Sequence, residues 1–236
     1  LTITDGLDLT GFRGSFSTAG GFSGTFGALV NAEAPITGTA APLTNGTGFR
    51  IRSEDAGAVF RAGGIFTRAR GGRLEATLRP TGEAGRYDGE LTVKNIRVVN
   101  APVLAELLGA VSVVGLIEQL NGSGIVFSDV AGQFRVQPGA VEITQGSAIG
   151  ASLGVSAAGL VDTARGMVDL RGTISPVYLF NGLGRIFSKS REGLFGFNYR
   201  ISGPTDGPKI SVNPLSILTP GLFRELFRAP PPKLTP

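Results

Sequence analysis

Apolar and polar residues alternate along most of this chain. Leu74, Ala76 and Leu78 point one way, with Arg73, Glu75, Thr77 and Arg79 opposite. Val168, Leu170, Gly172 and Ile174 alternate with Asp169, Arg171 and Thr173. Phe195, Phe197, Tyr199 and Ile201 alternate with Gly196, Asn198, Arg200 and Ser202. Shorter runs repeat the pattern at Phe134/Val136, Val141/Ile143 and Ile210/Val212. A period of two is that of a β-strand with one apolar face. Turn signals such as "QPGA", "VDTARG" and "GPTDGP" separate the runs, so neighbours are predicted to pair as antiparallel meanders. From Gly122 onward the rhythm is about one strand per 8–12 residues, the spacing of an all-β sheet, sandwich or barrel. Further strands are predicted at Leu7–Ser17, Phe22–Val30, Gly48–Ser53 and Ala56–Arg68. The alternation slips phase at Asn95, between Leu91/Val93 and Ile96/Val98, which reads as a β-bulge.

Three segments break this rhythm. Ala101–Gly122 is predicted to be a helix on the apolar face of the sheet, ending at Gly122. Its most apolar stretch, Leu107–Ile117, is only 11 residues. A bilayer span needs about 20, and Glu106 and Glu118 flank this one, so a span is disfavoured against a packed or membrane-surface helix. Ser175–Pro176 reads as a cap and a first helical position, opening a short apolar helix or turn through Phe187. Near the C-terminus, Asn213–Pro214 and Thr219–Pro220 are two more such starts. There Leu222, Phe223, Leu226 and Phe227 form one face, with Arg224, Glu225 and Arg228 opposite. Residues 229–236 are predicted to be an extended, Pro-rich tail.

Composition narrows the function classes. The chain has 42% hydrophobic and 17% charged residues, too apolar for a disordered protein. Its 37 glycines show no collagen period and point to turns and bulges. The net charge of +4 is spread along the chain without an aromatic-laced basic cluster, so no nucleic-acid footprint emerges. With no Cys and no His there is no disulfide, no thiolate metal site, and none of the commonest general base or zinc ligand. Glu54, Asp55, Asp88, Glu90, Asp129, Glu142, Asp162 and Asp169 read as polar strand faces and turn caps, not as a carboxylate active site. "GGFSGTFG" at Gly20–Gly27 lacks the Lys-Ser/Thr and the helix of a phosphate loop. No catalytic residue, metal or cofactor is expected.

Two architectures place the same residues inward: a closed β-sandwich, and a sheet curled into an open apolar trough. The residues that carry a resemblance bear on this choice. "GMVDLRGTISP" at Gly166–Pro176, "FNYRISGP" at Phe197–Pro204 and "PKISVNPLSILTPGLFRELF" at Pro208–Phe227 together resemble the C-terminal region of AsmA-like proteins, the AsmA/TamB/YhdP superfamily of bridge-like lipid transfer proteins. The similarity is clearest over residues 90–228. The stretch Asn181–Gly193 departs from the family's pattern, which is more apolar there.

The resemblance implies an all-β fold with a few helical inserts: a long antiparallel meander curled into a taco-like groove, one elongated domain over residues 1–228. It implies a periplasmic module that conducts phospholipids between the inner and outer membranes, at the outer-membrane end, held by an inner-membrane anchor upstream of these residues. The groove would be lined by Phe134, Val136, Val141, Ile143, Val168, Leu170, Ile174, Phe195, Phe197, Tyr199, Ile201, Ile210 and Val212. Leu222, Phe223, Leu226 and Phe227 would either lie in the inner leaflet of the outer membrane or cap the last sheet edge. The alternative is a closed structural or assembly module that binds an outer-membrane protein.

Overall fold

A computed structural model describes residues 2–4, 7–176 and 196–213. Thirteen strands follow one another as antiparallel neighbours in a single sheet. They are β1 (Thr2–Thr4), β2 (Leu7–Ser17), β3 (Ser23–Val30), β4 (Ala34–Leu43), β5 (Gly46–Ser53), β7 (Arg73–Pro80) and β8 (Tyr87–Val98). The path continues through β9 (Ile125–Gln137), β10 (Ala140–Gly150), β11 (Leu153–Asp162), β12 (Met167–Pro176), β13 (Phe197–Pro204) and β14 (Lys209–Asn213). The two-residue β6 (Ala69–Arg70) pairs against β8 beside this path. Three helices interrupt it: α1 (Ala56–Ala62), α2 (Pro102–Ala110) and α3 (Val114–Asn121). The all-β meander expected from the alternation is therefore the fold.

The connections are unequal at the two ends of the strands. At one end they are short turns, at residues 18–22, 44–45, 81–86, 138–139, 163–166 and 205–208. All three helices leave from the other end, α1 between β5 and β6 and the α2–α3 pair between β8 and β9. The core follows this division. Val93, Ile96, Val98, Ile125, Phe127, Leu153 and Ile174 are buried at the helical end, beneath Leu107, Leu108, Leu116 and Leu120. Helix α2 also touches β14, although it leaves the sheet at β8, six strands away. A helix of nine residues, about 13 Å long, reaches that far only if the sheet rolls up. The sheet is thus rolled about an axis parallel to its strands, with the apolar face inside and the α2–α3 pair across one end.

Several expectations change. Ala56–Arg68 is not a strand. Asp55 caps α1, its Oδ1 accepting from the Ala58 N–H at 2.8 Å, and Gly64 at φ 66° ends it, with the Ile65 N–H bonded back to the Phe60 carbonyl. Ala101–Gly122 is two helices, not one. Ser112 at φ 59° ends α2, with the Ser112 and Val113 N–H groups donating to the Gly109 and Leu108 carbonyls, a C-terminal cap usually built on Gly. Ser175 and Pro176 belong to β12, buried opposite Gly154 and Leu153, rather than to a helix, and the rest of the expected segment, from 177, lies outside the described residues.

Strand β4 was not foreseen, because its inward residues Ala34, Ile36, Gly38 and Ala40 are mostly small and give little alternation. Asp129 lies within β9, on a strand rather than at a turn cap. The phase slip at Asn95 is present, with φ 57° and Val93 and Ile96 both inward. It is no bulge against β9, which slips at the same level so that Lys94 faces Asp129 and Ile96 faces Phe127; the register shift falls between β9 and β10 instead. Leu222, Phe223, Leu226, Phe227, Phe195 and the segment between Pro176 and Gly196 lie outside the described residues.

Candidate functional site

The inner face of the roll is apolar across its whole width. One cross-strand row runs Phe16, Gly24, Ala40, Phe49, Leu78, Gly89, Phe134, Ile143, Gly159, Leu170, Ile201, Ile210. Those twelve positions, one on each of twelve adjacent strands, include no polar side chain. At the usual strand separation the row measures about 50 Å along the curved sheet. One residue over, the outer face reads Ser15, Thr25, Thr39, Arg50, Thr77, Glu90, Gln133, Gln145. The two faces thus differ completely in chemistry although they share one backbone.

The residues expected to line the groove fall on this inner face. Val136 faces Val141, Phe134 faces Ile143, Leu170 faces Ile201, Ile201 faces Ile210, and Tyr199 faces Val212. Val168 sits beside Val161, which faces Val141. Ile174 and Phe197 pair with each other at the helical end. Burial separates them. Ile174 and Tyr199 are buried and belong to the core. Phe134, Val136, Val141, Ile143, Val168, Leu170, Phe197, Ile201, Ile210 and Val212 are half-buried. The two buried members thus lie toward the helical end, and those toward the turn end are half-buried, as in a trough stoppered at one end.

Sequence reasoning had missed the other half of this face. Phe49, Ile51, Ala76, Leu78 and Leu91 are half-buried and continue the same surface on β5, β7 and β8. The alternation of β7 and β8 carried that signal already. On β2, β3 and the turn between them Phe12, Phe16, Phe22 and Phe26 form a stacked series with neighbouring ring centroids 5.0–5.8 Å apart. Aromatic rings also cover glycines on the neighbouring strand, Phe26 over Gly38 and Phe134 over Gly89, filling the space that a missing side chain leaves.

Tyr199 has the most specific environment. Its ring crosses Gly172 and its hydroxyl donates to the Ser156 carbonyl at 2.6 Å. That carbonyl is available because the Thr173 N–H donates instead to Ser156 Oγ, at 3.0 Å. Burial pushes the Tyr199 hydroxyl well above the usual phenol range.

The carboxylates that could have supported acid–base chemistry have structural partners. Asp88 and Glu142 both hold Arg135, Glu90 holds Arg79, Glu54 holds Arg73, and Asp169 holds Arg200. Asp129 pairs with Lys94, whose hydrogen bond, with that of Ser128, keeps its carboxyl below the ordinary range. Asp55 caps α1, and Asp162 accepts from the Arg165 N–H in the turn after β11. Among the described residues, no three His, Cys, Asp or Glu side chains come together as a metal site would require, and no helix is long and apolar enough to cross a membrane.

The outer face has a broad depression, about 510 Å³, above Gly27 and bordered by Arg13, Thr25, Thr37, Thr39, Arg50 and Arg52. Glu75 bridges Arg50 and Arg52 there.

No protein-family model, curated protein or solved structure matches this chain.

Proposed function

We propose that this chain is a lipid-carrying β-trough, which holds phospholipid acyl chains against the inner face of its rolled sheet as part of a lipid path between two membranes. The observation that carries this reading is the apolar row across twelve strands, half-exposed along most of its length. An acyl chain laid on such a surface gains roughly 0.8 kcal/mol for each methylene removed from water. The attraction is non-directional, so a chain can slide without breaking hydrogen bonds. An open trough also leaves the polar head group in water at the rim, avoiding the cost of burying it.

The stopper at the helical end gives the trough a direction. Lipid would enter and leave along the open length or at the end closed only by short turns. The α2–α3 pair then marks a terminus. In the setting that the AsmA-like resemblance implies, the trough lies in the periplasm, its cargo is phospholipid and its terminus faces the inner leaflet of the outer membrane.

Photocrosslinking tests this reading directly. With benzoylphenylalanine at Ile201 or Leu170, expression in a bacterial periplasm should yield phospholipid adducts. The same group at Ser202 or Arg135, on the outer face, should yield none. Adducts of equal yield on both faces, or protein adducts alone at Ile201 and Leu170, would remove the trough. The second outcome would instead favour a closed module seated on an outer-membrane protein.

A further inference from the structure

The connection between α1 and β7 combines an exposed apolar tip with several arginines. Its tip is Ile65–Phe66. Ile65 is 67% exposed, more than any other large apolar side chain among the described residues, and Phe66 is 39% exposed. The tip is held out by the backbone, since the Ile65 and Phe66 N–H groups both donate to the Phe60 carbonyl, at 2.9 and 3.1 Å. Arginines flank it in sequence, Arg61 before it and Arg68 and Arg70 after it. The Arg70 guanidinium donates to the Thr67 and Ala69 carbonyls, and that of Arg61 to the Ala69 carbonyl. Arg68 adjoins them in sequence. No carboxylate lies within ion-pair reach of Arg61, Arg68, Arg70 or Arg97 among the described residues.

Most basic residues elsewhere on the outer face are neutralised: Arg50, Arg52, Arg73, Arg79, Lys94, Arg135 and Arg200 each meet a carboxylate, whereas Arg13, Arg171, opposite Arg200, and Lys209 meet none among the described residues. Here Arg70 stands directly across from Arg97 in the β6–β8 pairing. Like charges opposite each other on a sheet destabilise it. An unneutralised arginine pair beside an exposed apolar tip is complementary to an anionic surface with an apolar layer beneath.

We propose that the Ile65–Phe66 tip is a membrane-docking loop that enters the interface of an anionic bilayer, with Arg68, Arg70 and Arg97 at the level of the lipid phosphates. Each basic residue near such a surface strengthens binding about fivefold, and the apolar tip adds its own transfer. The loop leaves the sheet at the same end as α2 and α3, so docking brings the stoppered end toward the bilayer. The contact does not depend on what the trough carries.

The chain contains no Trp, so Phe66→Trp supplies a single tryptophan, excited selectively over the three Tyr at long wavelength. With vesicles of mixed phosphatidylcholine and phosphatidylglycerol its emission should shift to the blue, and lipids brominated near the head group should quench it. Phosphatidylcholine alone should do neither. Met167→Trp, exposed at the turn end, should stay at its aqueous wavelength with both. Arg68→Gln with Arg70→Gln should lower partitioning about thirtyfold.

The shift should survive Phe223→Glu with Phe227→Glu, which removes the other candidate membrane contact, and also Ile201→Asp, which disables the trough. Ile65→Trp serves as a second probe of the same tip. An unchanged emission from both tip probes on mixed vesicles would overturn the proposal. So would an equal shift on phosphatidylcholine, an equal shift from Met167→Trp, or loss of the signal with the C-terminal pair.

Discussion

Tyr199 joins three strands with one side chain. It belongs to β13, lies across Gly172 of β12, and bonds to the Ser156 carbonyl of β11. Tyr199→Phe leaves that carbonyl without its donor inside the core, and should cost about 1–2 kcal/mol in urea denaturation at neutral pH. The same residue sets a pH dependence. The unfolded phenol releases its proton near pH 10, whereas burial holds the folded one protonated to higher pH. Between those two values the unfolded chain binds fewer protons than the folded chain, so stability falls as pH rises. Wild-type stability should therefore decline above about pH 10, and Tyr199→Phe should flatten that part of the decline. Gly172→Ala should be more damaging than Tyr199→Phe, at about 3 kcal/mol or more, because its methyl group would overlap the Ser156 carbonyl oxygen and press on the tyrosine hydroxyl. Equal Tm values for Gly172→Ala and wild type would contradict this packing. The outer ion pairs are a contrast, since pairs such as Arg73–Glu54, Arg79–Glu90 and Lys94–Asp129 are solvent-exposed and worth about 0–1 kcal/mol.

At the scale of elements, the strands were legible where large apolar residues alternate with charged ones, as at Arg73–Pro80 and Met167–Pro176. The pattern faded where small residues face inward, which hid β4. Helix α1 was hidden differently. Asp55 before the run and Gly64 after it are ordinary cap signals, but the apolar content of Ala56–Arg68 also suits a strand, and seven residues are too few for helical periodicity to show. Asp55→Ala should lower stability by about 1 kcal/mol through loss of the cap to Ala58, measurable as a lower denaturation midpoint with an unchanged slope. The break at Ser112 was illegible because Gly and Asn are the usual residues at that position of a helix end.

For the whole molecule, period-two alternation fixes which residues face inward but not whether a second layer covers them. That is why a sealed sandwich and an open trough could not be told apart from sequence. The difference lies in long-range geometry: α2 touching β14 across the roll, the three helices of the described residues at one end, and burial that falls away toward the other. It also sets where a charge would probe the trough without breaking the core. Phe197 pairs with fully buried Ile174 at the stoppered end, so Phe197→Asp disturbs the core, whereas half-buried Ile201 lies in the apolar row farther from the helices.

Native mass spectrometry of the purified chain, with organic extraction of whatever copurifies, tests the trough most directly. The account predicts a phospholipid-bound mass in the wild type and its loss in Ile201→Asp, with the circular dichroism of the sheet retained. A lipid-free mass that stays lipid-free after incubation with phospholipid vesicles would contradict it, and would mean that the apolar face is closed.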